Sequence, residues 1–575
     1  MSKARDNLPQ RLLDYVVLQD YSLYSHIDQA IWRYIMKISL PFFMKNAHES
    51  YISGLEMIGI PLDRIPKVDE MDKKLDAYKW GAVTVKGFIP PIIFMEFLSR
   101  RVLPIAVDMR TLEHVTYTPA PDIIHEAAGH APIIANTDYA DYLCAYGEVA
   151  KKAIQSKHDS ELYKIIKKMS DMKEDPNVSK VELKKIEVEL ENKSSENHWT
   201  SEANELARMN WWTIEYGLIG DLNNPKIYGA GLLSSVSESL DCLDKKVKKI
   251  PISIECIHQD YNITEPQPQL YVANNFKDLI KILDDYSKTM GFKTGGKDGV
   301  KKAIQSENVT TALYDSGLQI SGIIKNYISD NNGEITYLSY DKNVQLSYGN
   351  NEIPNHGIDY HSEGYGAAIG KLSECEKPIH QLNKNQLNSL GIKNNSQVSL
   401  EFIGGLTITG SIKKILEHEG KPIIITMENA DVKIMGNHLF KPDWGTYDLA
   451  CGGEIISVFG GPADWNKYYK KSLKSKKEIY QSSNLTTKNF ELNELYNQVQ
   501  QLKKNHSPSE KYFPILNELY NNYPGDWLLC MEIYEIIIGD SAIEKEINQL
   551  LNHINGFKKD EKLKDTIHRG LQIIA

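Results

Sequence analysis

The sequence predicts a multidomain protein in which a mostly α half is followed by a β-rich domain and a C-terminal helical segment. Three observations predict it. A length of 575 residues calls for several folding units. Helical periodicity dominates to about residue 300. From about residue 330 the apolar residues alternate, and after a lysine-rich stretch near 470 the helical period returns. We therefore expect units at 1–300, 301–465 and 466–575.

In AIWRYIMKISL, Ile31, Tyr34, Ile35 and Ile38 fall at i, i+3, i+4 and i+7, one face of a helix. Between Lys157 and Lys193 charged residues crowd two thin apolar stripes, first Leu162, Ile165, Ile166 and Met169, then Leu183, Ile186 and Leu190. Asp175-Pro176-Asn177 separates them, which predicts an inserted, solvated helical hairpin at about 151–200. Further on, EITYLSY alternates, and QVSLEFI and LTITGSI flank Gly404-Gly405, a hairpin signal. IIITM at 423–427 and EIISVFG at 454–460 add strands. The run KYYKKSLKSKKE reads as a solvated hinge. LNELYN occurs at 492 and 516, short of the roughly three repeats a solenoid needs.

Lys plus Arg total 66 against 76 Asp plus Glu, so a formal charge of −10 predicts no general attraction to nucleic acid or anionic membrane. No apolar run approaches the roughly 18 residues of a membrane span. The start, MSKARDNLPQRLLDY, lacks the apolar stretch of a secretory signal, and a cytoplasmic protein is expected. The six cysteines are scattered with no C-x-x-C pair, which argues against a thiolate zinc site and a disulfide framework. They read as buried small hydrophobes.

The segment YTPAPDIIHEAAGHAPI is the most informative. Pro121 stands where a helix could begin and Pro132 limits its extension, leaving about one helical unit that carries His125 and His130. Five residues advance roughly 500°, about 140° past a full turn, so a slight bend lets both imidazoles converge on one ion. The zinc-peptidase signature H-E-x-x-H needs spacing four, and here that position is Gly129. A carboxylate ligand is offered by ELARMNWWTIEYGLIG, where Glu215 sits among apolar and aromatic residues, an unfavourable place for an unpaired charge. Two neutral imidazoles and a carboxylate make the ligand set of non-haem Fe(II) oxygenases, with positions left for O2 and co-substrate. The competing reading is two capping or core-lining histidines and a salt-bridged glutamate.

MRTLEHVTYTPAPDIIHEAAGH, NWWTIEYGL, KIYGAGLLSSVSES and YNITEPQPQLYV, in this order, resemble the catalytic domain of the pterin-dependent aromatic amino acid hydroxylases, nearest the phenylalanine hydroxylases, over roughly residues 10–295. The resemblance implies the aromatic amino acid hydroxylase fold for 1–300. It also implies an iron- and tetrahydropterin-dependent monooxygenase that uses O2 to convert L-phenylalanine to L-tyrosine. By it, His125, His130 and Glu215 are the iron ligands and catalytic residues. Arg110, fifteen residues before His125, matches the arginine that pairs with the amino acid carboxylate, a role suited to a bidentate guanidinium. Thr118 and Ser234 match positions that hold the substrate backbone, and Pro121 and Trp211 match residues lining the ring pocket. VKGFIPPIIF resembles the pterin loop: Gly87, Phe88 and Ile89 bond the ring through backbone groups, and Phe94 stacks on it. Glu126 matches an acidic residue that reaches the pterin. In such a site the pterin supplies two electrons while an open-sided Fe(II) takes O2, and the protein must orient both and keep the site dry.

Some positions depart from the family pattern. Asn210 stands where a tyrosine is usual, Pro266 replaces a phenylalanine, and the charged hairpin lengthens the stretch between His130 and Glu215, where it could cover the site's mouth or form an interface. No regulatory domain precedes the catalytic half, so N-terminal substrate sensing is not expected. Ile263 occupies the place where tyrosine hydroxylases carry an aspartate, which disfavours tyrosine as substrate. Trp211 stands where tryptophan hydroxylases have a smaller phenylalanine, yet Ile263 is also what they show, so tryptophan 5-hydroxylation is the alternative. From other classes come a zinc-dependent hydrolase on the same three residues and a non-catalytic binding protein working through its C-terminal half. Expected partners are a small-molecule substrate, no nucleic acid and no membrane, with an oligomer possible through the C-terminal half. There, GYGAAIG has the wrong spacing for a dinucleotide loop, and SYDKNVQLSYGNNEIPNHGIDYHSEGYG, rich in Tyr, Asn and His, reads as exposed loops or the lining of a site.

Overall fold

The computed structural model describes the whole chain except residues 88, 117–120, 175–177, 197–198, 263–265, 471–486 and 575. The expected turn at Asp175-Pro176-Asn177 and most of the lysine-rich hinge lie outside the described residues.

The long helix His26–Asn46 starts in a capping box: Ser25 Oγ accepts from the Asp28 amide, and the Ser25 amide donates to the Asp28 carboxylate. Ile31, Tyr34, Ile35 and Ile38 are all buried, as their spacing predicts. Two parallel strands, Gly81–Val85 and Val102–Ala106, are joined by the helix Pro91–Ser99 and buried along their whole length. This compact crossover aims its strand ends at the segment that carries Gly87, Asp108 and Arg110. The helix Thr137–Ala150 packs on Pro91–Ser99 at Gly147, where a Cβ would lie 2.5 Å from the Ser99 nitrogen. A four-stranded sheet runs in the order Asn224–Ile227, Leu218–Asp221, Gln269–Ala273, Lys248–Pro251. The first 300 residues thus combine helices with two small sheets.

The charged region forms two helices, Lys157–Glu174 and Lys180–Ser195, packed on each other. In the second, Ile186 is the residue of the apolar stripe that becomes fully buried.

Strands begin at Thr310–Tyr314, earlier than the alternation at 330 suggests. They build a five-stranded sheet, a three-stranded sheet and a third sheet led by the long hairpin Leu406–His418 and Lys421–Ile434. Gly405, at φ +77°, closes the turn between Gln397–Glu401 and Leu406–His418. In Ile335–Tyr340, Tyr337 enters one apolar core and Leu338 the other, so the alternation of EITYLSY is between two cores instead of between core and solvent.

The C-terminal helices Thr487–Lys504, Phe513–Asn522, Trp527–Ile537, Glu544–Gly556 and Glu561–Ile574 share one apolar core with the first half of the chain. They dock on His26–Asn46. Asn493 Oδ1 accepts from the His26 amide at 2.6 Å, Arg33 pairs with Glu532 at 2.6 Å, and Tyr34 donates to the Thr566 carbonyl at 2.9 Å. Arg569 donates to the carbonyls of Val236 and Ile38. Among the described residues no helix is long and apolar enough to cross a membrane.

Candidate metal centre and its cavity

His125 and His130 lie on Ile124–His130, which is a π-helical turn and not the bent α-helix the spacing suggests. The Ala131 amide donates to the Glu126 carbonyl, an i→i+5 bond. Such a turn stacks residue i+5 nearly over residue i, and this brings the two imidazoles onto one face without a bend. Asp122 starts the segment by accepting from the His125 amide at 3.0 Å. Glu215 ends a second π-turn, Trp211–Glu215, closed by the Tyr216 amide on the Trp211 carbonyl at 2.8 Å. Asn210, five residues before Glu215, is therefore stacked beside it, with Nδ2 3.5 Å from Glu215 Oε1.

Three donor groups converge. His125 Nε2 is 3.2 Å from His130 Nε2 and 3.3 Å from Glu215 Oε2, and His130 Nε2 is 3.4 Å from Glu215 Oε1. Gly129 permits the arrangement: a Cβ there would lie 2.7 Å from the Ala230 carbonyl oxygen, so only glycine lets the helix Ala230–Ser234 approach. That helix delivers Ser234 Oγ to His125 Nδ1 at 3.0 Å, which orients the ring from behind. Burial alone would raise the Glu215 carboxyl, but the imidazoles of His130 and His125 outweigh it and hold the group well below the usual carboxylate range. Burial pushes Glu126 up to about 8, and its Oε2 has no hydrogen-bond partner.

These groups face a cavity of about 190 Å³. Gly87, Ile89, Phe94, Pro121 and Glu126, five of the residues singled out in the sequence, line it together with His125, His130 and Glu215. Gly87 has φ +58° and open space where a Cβ would point, and its amide donates to Asp108 Oδ2 at 2.8 Å. Burial raises the Asp108 carboxyl.

Arg110 is 3% exposed. Its Nε and Nη2 grip the two oxygens of Asp122 at 2.7 and 2.9 Å, and Nη1 donates to the Ser234 carbonyl at 3.1 Å. Despite burial, the guanidinium holds Asp122 below the usual carboxylate range. Trp211, which is not among the residues lining the cavity, is sandwiched between Tyr216 and Tyr261, each ring centroid 4.4 Å away. Phe88, Thr118 and Ile263 lie outside the described residues. Asp122 and Asp108 went unnoticed in the sequence. The first carries a signal, an acidic residue three positions before His125 after a proline, as at a helix start; the second carries none.

The family model described as biopterin-dependent aromatic amino acid hydroxylase matches residues 20–163 and 193–295, skipping most of the charged hairpin. Over those residues the first half of the chain is similar to the pterin-dependent aromatic amino acid hydroxylases. The particular relatives are named phenylalanine-4-hydroxylase. That of Chromobacterium violaceum is 29% identical over 269 residues, 46% of this chain and 76% of the relative. That of Pseudomonas aeruginosa is 27% identical over 264 residues, 46% of this chain and 84% of the relative. A solved structure of the Chromobacterium violaceum enzyme with bound iron(III) and 7,8-dihydrobiopterin is 27% identical, covers 48% of this chain and 85% of its own, and has a TM-score of 0.38.

Proposed function

We propose that the protein is an iron- and tetrahydropterin-dependent monooxygenase that hydroxylates L-phenylalanine to L-tyrosine with O2, with His125, His130 and Glu215 as the iron ligands. One observation carries the reading: two imidazole nitrogens and a carboxylate meet within 3.4 Å of one another, on one wall of a cavity. Two Nε2 atoms at 3.2 Å and a carboxylate beside them are a donor set for a divalent cation, and two histidines with one carboxylate suit Fe(II). The unfilled face of Gly87 beside Ile89 and Phe94 fits a flat ring such as a pterin. When bound, iron held by His125, His130 and Glu215 would supply a site for O2, and a tetrahydropterin beside Gly87 and Phe94 would supply two electrons.

The chain's own residues do the rest. Arg110 takes the amino acid carboxylate through the Nη1 and Nη2 N–H groups that Asp122 and the Ser234 carbonyl leave over, and those two partners orient the guanidinium before substrate arrives. Ser234 couples that site to the metal centre, its carbonyl on Arg110 and its hydroxyl on His125. Glu126 offers Oε2 to the pterin from the cavity wall. Ile89, Phe94, Pro121 and Ile214 keep water from the reacting groups.

Residues 1–300 form the catalytic unit in this reading, with the hairpin at about 151–200 as an insertion, 301–465 an accessory β-rich unit and 466–575 a helical buttress. The two separate apolar cores of the β-rich part support its division from the rest, and the core that the C-terminal helices share with His26–Asn46 supports their role as a buttress. Six free thiols suit a cytoplasmic location.

The test is product analysis by mass spectrometry of the full chain with Fe(II), tetrahydropterin, O2 and phenylalanine, tyrosine and tryptophan in competition. Tyrosine formed from phenylalanine is the expected result. Hydroxytryptophan as the main product overturns the substrate, and no product with iron bound overturns the function.

A further inference from the structure

The β-rich half holds a second convergence of donors, on residues the hydroxylase does not use. Its components are fixed by the fold. Asp448 lies on the strand Tyr447–Ala450, opposite Thr426 of the long hairpin. It is 2% exposed. Thr426 Oγ1 donates to Asp448 Oδ1 at 2.6 Å, whereas Oδ2 is buried with no hydrogen-bond partner. An ionised carboxylate oxygen in that position is costly unless something cationic meets it.

Two histidines face it from the loop that follows Asn351–Glu352. His361, 7% exposed, is held at both backbone ends, its amide on the Gly357 carbonyl and its carbonyl on the Val344 amide. His356 is held the same way, by the Ile353 carbonyl and the Leu346 amide. Tyr365, whose ring meets the edge of His361, donates to the Asp448 carbonyl at 2.6 Å and ties loop to strand. As a result His356 Nδ1 is 3.4 Å from His361 Nε2 and 3.8 Å from Asp448 Oδ2, and the three donor atoms lie within 4.8 Å of one another.

A hydrogen bond between the imidazoles would satisfy that pair but leave the Asp448 carboxylate with only the Thr426 and Tyr360 hydroxyls and no cationic partner. One divalent cation satisfies all three. Metal–ligand bonds near 2.1 Å in tetrahedral geometry put donor atoms about 3.3–3.5 Å apart; the two imidazole nitrogens already stand at 3.4 Å, and the carboxylate, 3.8 Å from His356 Nδ1, closes in on binding. Thr426 plays the part expected of a residue behind a ligating carboxylate, fixing one oxygen so that the other is free.

We propose that His356, His361 and Asp448 bind a Zn2+ ion, a second metal site distinct from His125, His130 and Glu215. The fourth position falls to water on the side of half-buried His356 and exposed Tyr360. The ion clips the loop 353–362 to the strand Tyr447–Ala450. The proposal stands whether or not the hydroxylase reading does, because it uses none of the same residues. The spacing His-x-x-x-x-His is the same at 125–130 and at 356–361, but the third donor lies far along the chain in each case.

The experiment measures zinc bound to full-length protein that has been stripped with chelator and dialysed against Zn2+. His125→Ala/His130→Ala removes the first site, and that protein is expected to retain one equivalent. Adding His356→Gln and His361→Gln is expected to take it to zero, while those two substitutions alone leave iron content and hydroxylation at the wild-type level. A Co2+ titration of the iron-site variant gives a second readout, because a tetrahedral site develops visible d–d bands that His356→Gln, a change at the edge of the site, abolishes. Failure of the iron-site variant to take up zinc or cobalt, or uptake indifferent to the two glutamines, overturns the proposal.

Discussion

His125 and His130 stand one π-turn apart, so their Nε2 atoms meet at 3.2 Å on a segment that an α-helix would have splayed. The wide turn depends on close support by the helix Ala230–Ser234, which Gly129 admits. In Gly129→Ala the new methyl meets the Ala230 carbonyl, backbone against backbone, and one of the two segments must move. We expect a loss of about 1–3 kcal/mol in stability, in the range of overpacked cores. Iron affinity should fall with it, because the displaced helix carries Ser234. Thermal melts and iron titration of the variant check both.

Ser234→Ala isolates the second effect. The substitution removes the hydroxyl from His125 Nδ1 and leaves the Ser234 carbonyl on Arg110 in place. Loss of a group behind a metal-bound histidine typically costs about 10–100-fold in metal affinity or activity. Iron affinity should drop by that order while the KM for the amino acid changes little.

Asp122→Asn acts on the substrate side. It leaves the buried Arg110 guanidinium without its counter-charge, and breaking a buried pair from one side costs about 3–5 kcal/mol. The arginine is also released from its fixed pose, so the amino acid KM should rise more than kcat falls. Steady-state kinetics at saturating pterin separate the two. An unchanged KM would detach Arg110 from the carboxylate of the substrate.

The chemistry of the first site is legible in the sequence because His125, His130 and Glu215 are residue types that apolar surroundings do not tolerate without a partner. Its geometry is less so. Counting 100° per residue assumes an α-helix, and the i→i+5 bonds that align both His125 with His130 and Asn210 with Glu215 follow from packing, not from propensity. The docking of the C-terminal helices is invisible for a different reason. An apolar stripe such as Ile31, Tyr34, Ile35 and Ile38 declares that it will be buried, not which of many stripes will cover it. His356 and His361 lie in a stretch that reads as loops or the lining of a site, but their meeting with Asp448 escapes for the same reason: a strand residue and a loop nearly ninety positions earlier meet through sheet pairing that no local pattern encodes.

Glu238 makes stability depend on pH. Its carboxylate accepts from the Tyr216 hydroxyl at 2.6 Å, but burial dominates, with Asp241 adding repulsion, and pushes the group up to about 7. The folded protein therefore binds this proton more tightly than the unfolded chain, which releases it near the ordinary glutamate value. Stability from this group is fully present below about pH 4.5 and is lost as pH rises towards 7, after which the loss is constant. Glu238→Gln should flatten the decline in melting temperature across that window relative to wild type. Parallel curves for the two proteins would remove Glu238 as the cause.

The C-terminal helices are expected to hold up the catalytic half although they contribute nothing to the cavity. Trp527, 2% exposed, meets Tyr34 edge to face with ring centroids 5.0 Å apart, and Tyr34 lies on the helix His26–Asn46. Trp527→Ala removes that contact and opens a cavity between two segments some five hundred residues apart in sequence, a change that costs about 3–5 kcal/mol in a packed core. If the helices were an independent appendage, the substitution would melt them alone and leave hydroxylation and its heat inactivation untouched. Because they share one apolar core with His26–Asn46, the temperature at which hydroxylation is irreversibly lost should fall together with the melting temperature. Heat-inactivation curves of wild type and Trp527→Ala, read by product formation, decide between these outcomes.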